Sequence, residues 1–149
     1  YDVYYFGGIA GKVNGAFTLR NCANRGNLTA AVERDIAGIA VSGGNDAVFE
    51  NCENYGNITV APNHKPNEGD RWRPCVAGIV AIENDVATTI TNCTSDCVID
   101  ATVYRATSID KVYVFQKTWE NGTEDTKTVC DEASKSNSAG TTINITTRE

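Results

Sequence analysis

"NCANRGNLT" at residues 21–29 and "NCENYGNIT" at residues 51–59 are nearly the same nine residues, written twice and thirty positions apart. A chain that repeats a segment of this size repeats a structural unit, so the wider period decides the fold. Cutting before each Gly-Ile or its equivalent exposes the unit. "FGGIAGKVNGAFTLRNCANRGNLTA" spans 6–30, "IAGIAVSGGNDAVFENCENYGNITV" spans 36–60, and "VAGIVAIENDVATTITNCTSDCVIDA" spans 76–101. Gly8, Gly38 and Gly78 correspond, as do Ile9, Ile39 and Ile79, then Leu19, Phe49 and Ile90. Asn21, Asn51 and Asn92 match next, followed by Cys22, Cys52 and Cys93, and by Leu28, Ile58 and Ile99.

Each unit holds two short segments of alternating apolar and polar residues separated by Gly/Asn-rich turns. Leu19 lies between Thr18 and Arg20, and Phe49 between Val48 and Glu50. A period of two marks strands, and no window carries the 3.6-residue stripe of a long helix. A unit this small cannot bury its own apolar face, but stacked copies can, with Ile9, Ile39 and Ile79 in one ladder and Leu19, Phe49 and Ile90 in another. That is a β-solenoid, its rungs about 4.8 Å apart. Gly26 and Gly56 are expected to supply positive φ at a repeated corner. Stacked Asn21, Asn51 and Asn92 are expected to hydrogen-bond along the axis.

The blocks "GGIAG" at 7–11, "VAGIV" at 76–80 and the repeated NC-x-N-x-G-x-[IL] resemble the GLUG-type repeats of bacterial surface and secreted proteins. The resemblance covers roughly two thirds of the chain. It implies an extracellular repeat module of adhesins, fibres or large surface enzymes, in which the repeat itself is not known for catalysis. The third unit departs from the pattern, with Ser95 in place of the second asparagine and Cys97 where Gly26 and Gly56 stand. An altered third corner is expected.

The 149 residues carry a net charge of -6 with no cluster of Lys or Arg, which argues against nucleic acid or an anionic membrane as the main partner. No apolar run is long enough to span a bilayer as a helix. The chain starts at Tyr1 and lacks Met, and reads as a processed or excised piece. Five Asn-x-Thr triplets offer glycan sites at Asn27, Asn57, Asn92, Asn121 and Asn144. Asn92 is the weakest of them, because its column partners Asn21 and Asn51 are turn residues. Together with six cysteines, the triplets place the protein outside the cell or on its surface.

Residues 61–74 interrupt the repeat. They hold all three prolines (Pro62, Pro66, Pro74) and the single histidine, His64, and read as a loop thrown out from one coil. Arg71, Trp72 and Arg73 within it suit stacking on a sugar or anchoring in a partner, while a Trp folded over the solenoid side is the plainer reading. After Thr102, "KVYVFQKTW" at 111–119, the turn Asn121-Gly122 and "EDTKTVC" at 124–130 read as a β-hairpin. Residues 131–140 form a polar connection with room for one helical turn. "TTINITTRE" ends the chain, with Ile143 and Ile145 on one face of a strand suited to β-strand addition.

Cys22, Cys52 and Cys93 share one column, where adjacent rungs allow but do not require a disulfide. Cys75, Cys97 and Cys130 lie outside it, and Cys130 is expected to tie the hairpin to the solenoid through Cys75 or Cys97. No C-x-x-C pair with histidines points to a metal site. Glu50, Glu53, Asp46, Glu83 and Asp85 are the carboxylates a glycosidase pair would draw on, but the outward face of a solenoid places acids in solvent. With one histidine and no phosphate loop, no catalytic constellation is expected, and no cofactor.

The expectation is an all-β protein, a short parallel β-solenoid of three coils over 1–104, with a C-terminal β-hairpin and terminal strand over 105–149 in the same domain. The expected role is structural: an extracellular glycoprotein, the subunit of a surface fibre whose copies associate through β-strand edges or addition of the terminal strand. The alternative is an adhesin or glycan-binding module using Arg71, Trp72 and Arg73. A third reading is an accessory repeat domain of a larger surface enzyme.

Overall fold

In the computed structural model, residues 3–61, 75–83, 86–103, 108–116, 125 and 127–148 are described. The chain winds through stacked layers. Layer one consists of β1 (Val3–Gly7), β2 (Ala10–Val13), β3 (Thr18–Arg20), β4 (Ala23–Asn24) and the first half of β5 (Leu28–Ala37). Layer two continues from the second half of β5 through β6 (Ala40–Ser42), β7 (Ala47–Glu50), β8 (Glu53–Asn54) and β9 (Ile58–Ala61). Layer three holds β10 (Cys75–Ala77), β11 (Val80–Glu83), β12 (Thr88–Thr91), β13 (Thr94–Ser95) and β14 (Val98–Val103).

Neighbouring layers pair in parallel at each of these positions. Leu19 lies on Phe49 and Phe49 on Ile90. Leu28 lies on Ile58 and Ile58 on Ile99. The repeat columns are therefore the core. Ile39, Ile79, Phe49 and Ile90 are fully buried in one cluster, and Ile36, Ile58, Val76 and Ile99 in a second. Each such side chain contributes roughly 1.5–3 kcal/mol on burial. Phe17 adds an edge-to-face contact with Phe49, ring centroids 5.5 Å apart.

The quoted nonapeptide is one corner of each layer. Asn21, Asn51 and Asn92 take the left-handed conformation at φ 55°, 52° and 48°, which asparagine tolerates because its side chain hydrogen-bonds locally. This corrects the expectation for Gly26 and Gly56, neither of which has positive φ. Gly56 is required for a different reason: a Cβ there would lie 2.0 Å from the Gly26 carbonyl oxygen of the layer before. Because the turn rests on Asn92, the third corner keeps the same backbone despite Ser95 and Cys97.

Two asparagine ladders run along the stack. In the buried one, Asn24 Nδ2 donates to Asn54 Oδ1 at 2.8 Å, and Asn54 Nδ2 donates to the Gly56 carbonyl at 3.2 Å. On the outside, Asn92 Nδ2 donates to Asn51 Oδ1 at 2.8 Å, and Asn137 Nδ2 to Asn92 Oδ1 at 3.3 Å.

The β-hairpin expected across 111–130 does not form. β15 (Ser108–Asp110), β16 (Tyr113–Gln116) and β17 (Thr128–Cys130) lie parallel on β10, β11 and β12, with β16 and β17 in different sheets. A helix, α1 (Glu132–Asn137), follows, and β18 (Thr142–Thr147) pairs with β14 from Val98↔Thr142 to Val103↔Thr147. The three repeat units are thus followed by a fourth layer rather than a hairpin. A hairpin would pair β16 with β17 and leave the lower side of layer three open, whereas parallel stacking covers Ile79, Ile82 and Ile90 with Val112, Phe115 and Cys130. The Asn121-Gly122 turn lies outside the described residues.

Candidate functional site: free edges at the two ends of the stack

Layer one ends the core without a cover among the described residues. Ile9 is 44% exposed, while Ile39 and Ile79 in the same column are fully buried. Leu19 is half-buried over the fully buried Phe49. The pairing of β1 with β5 and of β2 with β6 is irregular, with register shifts between Val3 and Tyr5 and between Ala10 and Lys12. Such bulges blunt an edge. In contrast β3, β4 and residues 28–31 of β5 keep regular register, so their outer edges are intact.

Outside residues 32–34, where Glu33 and Arg34 adjoin, charge differs between the first three layers. Residues 3–31 carry Lys12, Arg20 and Arg25 and no acid, whereas 35–61 and 75–103 carry eight acids and neither Lys nor Arg. The three cations reach into the stack. Arg20 Nε donates to Glu50 Oε2 at 2.7 Å, and the Arg25 guanidinium sits 4.9 Å from the centroid of the Tyr55 ring. Lys12 pairs with the buried Glu83 two layers away, which also accepts the Tyr5 hydroxyl at 2.6 Å. Burial works against the Lys12 ammonium, yet the Glu83 carboxylate outweighs it and the pKa is raised. These contacts hold layer one on the acidic second and third layers.

The opposite end is closed on one side. Asp131 caps α1, its carboxylate accepting the Ser134 N–H at 2.9 Å and, from layer three, the Asn92 N–H at 2.9 Å. Ser134 Oγ accepts the Cys93 N–H and Ser138 Oγ the Ser95 N–H, both at 2.9 Å. Helix hydroxyls thus satisfy donors that a further strand would otherwise take up. Lys111 occupies the column of Gly8, Gly38 and Gly78, where a Cβ on each glycine would meet a backbone oxygen of the following layer at 2.3, 2.0 and 2.0 Å. A side chain there bars another rung in the same register. Among the described residues β15, β16, β17 and β18 are the outermost strands at this end, and β18, the longest of them, has Ile143 half-buried and Ile145 52% exposed.

Asp131 carries a prediction. The Ser134 side chain, ahead of the backbone N–H groups of Ser134 and Asn92, holds its carboxyl below the usual aspartate range. A depressed folded pKa contributes stability above the unfolded value of about 3.9 and loses it as pH falls through the folded value. Asp131→Ala is expected to cost about 1 kcal/mol at neutral pH, and to flatten the decline in stability of the parent below pH ~4. Denaturant titrations across that range measure both.

Asn27 and Asn57 are exposed, and their Oδ1 atoms accept the N–H of Asn57 and Val98 from the next layer at 3.0 and 2.9 Å. The amide nitrogen, the atom that would carry a glycan, has no partner among the described residues. Asn144 is exposed on β18. Asn92 commits its amide nitrogen to Asn51. Asn121, His64 and the Arg71, Trp72 and Arg73 group lie outside the described residues, as does Asp85.

The remaining carboxylates do not converge. Glu50 and Glu83 are ion-paired on different sheets, and Asp46 occupies a left-handed turn at φ 65°. Among the described residues no group of three or more His, Cys, Asp or Glu is placed to hold a metal ion, and no helix is long and apolar enough to cross a membrane. A cleft of about 440 Å³ lined by Asp110, Val112, Tyr113, Phe115, Asp125 and Lys135 opens below layer four. Burial, then Asp125, pushes the Tyr113 phenol up. Val112 and Phe115 there are the ends of core columns.

All six cysteines are free thiols, and Cys130, Cys97 and Cys75 belong to three separate apolar clusters. The Lys12–Glu83–Tyr5 group and the serine cap of α1 were not anticipated from sequence. The fourth layer had one readable signal, the alignment of Ile109-Asp110-Lys111-Val112 with Val76-Ala77-Gly78-Ile79.

The layers and their columns define a parallel β-solenoid whose first end is uncovered among the described residues and whose last end is partly capped by α1. Compared with protein-family models, curated proteins and solved structures, the chain matches none.

Proposed function

We propose that this is a structural, exported glycoprotein of the GLUG-repeat kind, a surface-fibre subunit whose copies join through strand edges. One observation carries the reading: among the described residues the parallel run β5-β9-β14-β18 has residues 28–31 of β5 outermost on one side and β18 outermost on the other, both in regular register. β18 already occupies its own chain as the last rung on β14, so it joins copies through its outer edge and not by leaving the fold. Pairing β18 of one copy with residues 28–31 of the next is head-to-tail and does not close on itself, which makes a filament. Covering the exposed Ile145 supplies apolar burial at the joint, and α1 closes the adjoining corner of the last layer at Cys93 and Ser95. Glycans on Asn27, Asn57, Asn121 and Asn144 would keep the outer faces soluble.

Electron microscopy and intact mass of the native material test this. Filaments with a regular rise, a mass above the 16.0 kDa polypeptide, and loss of filaments in Ile145→Lys are expected. Monodisperse particles of bare polypeptide mass would refute it.

A further inference from the structure

Cys22, Cys52 and Cys93 stack on consecutive layers in the larger core cluster. Backbone hydrogen bonds hold the column in step, with Glu53 N–H on the Cys22 carbonyl at 2.8 Å and Thr94 N–H on the Cys52 carbonyl at 2.9 Å. The Cys52 thiol donates to the Leu19 carbonyl of layer one at 3.3 Å and the Cys93 thiol to the Phe49 carbonyl of layer two at 3.5 Å, so each points along the column toward the layer before it. A rung spacing of about 4.8 Å falls inside the Cα separation a disulfide accepts, about 4.4–6.8 Å. Access differs along the column: Cys22 is half-exposed, while Cys52 and Cys93 are fully buried. Below Cys93 the column ends at Ser134, whose hydroxyl takes the Cys93 N–H.

We propose that Cys22, Cys52 and Cys93 form a thiol–disulfide relay, in which one disulfide is made at the exposed end, always includes Cys52, and passes between the two adjacent pairs. The oxidant is a small disulfide of the glutathione class. The Cys22 thiolate attacks one of its sulfurs, breaking the S–S bond and releasing one glutathione thiolate, which takes a proton. Cys52 gives up its proton and attacks Cys22 Sγ, forming Cys22–Cys52 and releasing the second glutathione. Two electrons have then passed from two protein thiols to the small disulfide, which leaves as two thiols. Cys93 attacks Cys52 Sγ in turn, forming Cys52–Cys93 and returning Cys22 as a thiol, with no net redox change.

With three thiols and one shared member, the column holds one bond and one thiol in either state. Cys22–Cys52 staples the first layer to the second, and Cys52–Cys93 releases it. Burial raises the Cys22 thiol, while the contact between Cys93 and Cys52 raises Cys93 and lowers Cys52, which favours the Cys52 thiolate as the central nucleophile. The relay does not depend on the fibre reading.

The test exposes the reduced full chain to oxidised glutathione, alkylates the remaining thiols, and maps the bonds by mass spectrometry. The expected product is one disulfide per chain containing Cys52, as a mixture of Cys22–Cys52 and Cys52–Cys93. Cys22→Ser, at the half-exposed position, should slow formation of Cys52–Cys93 about tenfold or more, because it removes the column's accessible thiol. Cys93→Ser should give Cys22–Cys52 alone. Cys52→Ala should trap a glutathione adduct on Cys22, and if that variant fails to fold, the other two decide. A glutathione adduct persisting on Cys22 of the parent chain, no reaction at all, or a disulfide made by Cys75, Cys97 or Cys130 in place of Cys52 would overturn the relay.

Discussion

Gly38→Ala is expected to lower unfolding free energy by about 4 kcal/mol. The new Cβ would lie 2.0 Å from the Gly78 carbonyl oxygen and 2.4 Å from the Asn54 side-chain amide. Neither group can retreat. The Gly78 backbone is held by its own N–H on Asp110 and by the layer below, and the Gly38 N–H is committed to the Ala77 carbonyl at 3.0 Å. Relief would require separating layers two and three at the column that buries Ile39 and Ile79. Gly11→Ala is the control, since its Cβ would meet nothing closer than 3.6 Å, and it should be neutral or stabilising by about 0.5 kcal/mol. Thermal melting distinguishes the two, with a loss of about 10 °C expected for Gly38→Ala. Equal melting points would remove the close-approach explanation for the glycine column.

The second large effect is expected at Asn54. Asn54→Leu keeps the volume but removes every polar contact of a fully buried amide. Asn24 Nδ2 then loses the acceptor at 2.8 Å, and the Gly56 carbonyl loses its donor at 3.2 Å. Leaving two partners unsatisfied inside the stack costs about 3 kcal/mol. Asn137→Ala, at the solvent-facing end of the outer ladder, should stay within about 0.5 kcal/mol. Chemical denaturation of both measures the gap, and an Asn54→Leu chain as stable as its parent would show that the inner ladder is only tolerated. The contrast matters because both asparagines satisfy side-chain ladders of similar length, and only burial separates them.

The columns of the core were legible because they recur. Leu19, Phe49 and Ile90 hold the same place in three units, and recurrence at fixed spacing is enough to put them on one face. The asparagine ladder over Asn51 and Asn92 followed from the same logic. The left-handed residue was misplaced onto Gly26 and Gly56 because glycine is the commoner choice there. The structure uses the asparagine five residues earlier, and keeps Gly56 for room beside the neighbouring backbone. The fourth layer was missed for a physical reason too. An end layer has no follower, so Lys111 replaces glycine and α1 replaces a strand, and the period that identifies the inner layers is lost at the place where the stack stops.

The sequence by itself determined the all-β class, the period, the stacking columns and the alignment of Cys22, Cys52 and Cys93, since each follows from residues repeating at one spacing. Tertiary structure alone decided the rest. It stacked β15, β16, β17 and β18 as a further rung instead of a hairpin, set Lys12 on Glu83 two layers away, and left regular outer strands at β5 and β18 but irregular ones at β1 and β2. Those outcomes depend on which surfaces remain uncovered once the layers have stacked. That is a property of the whole assembly of rungs, and no single repeat contains it.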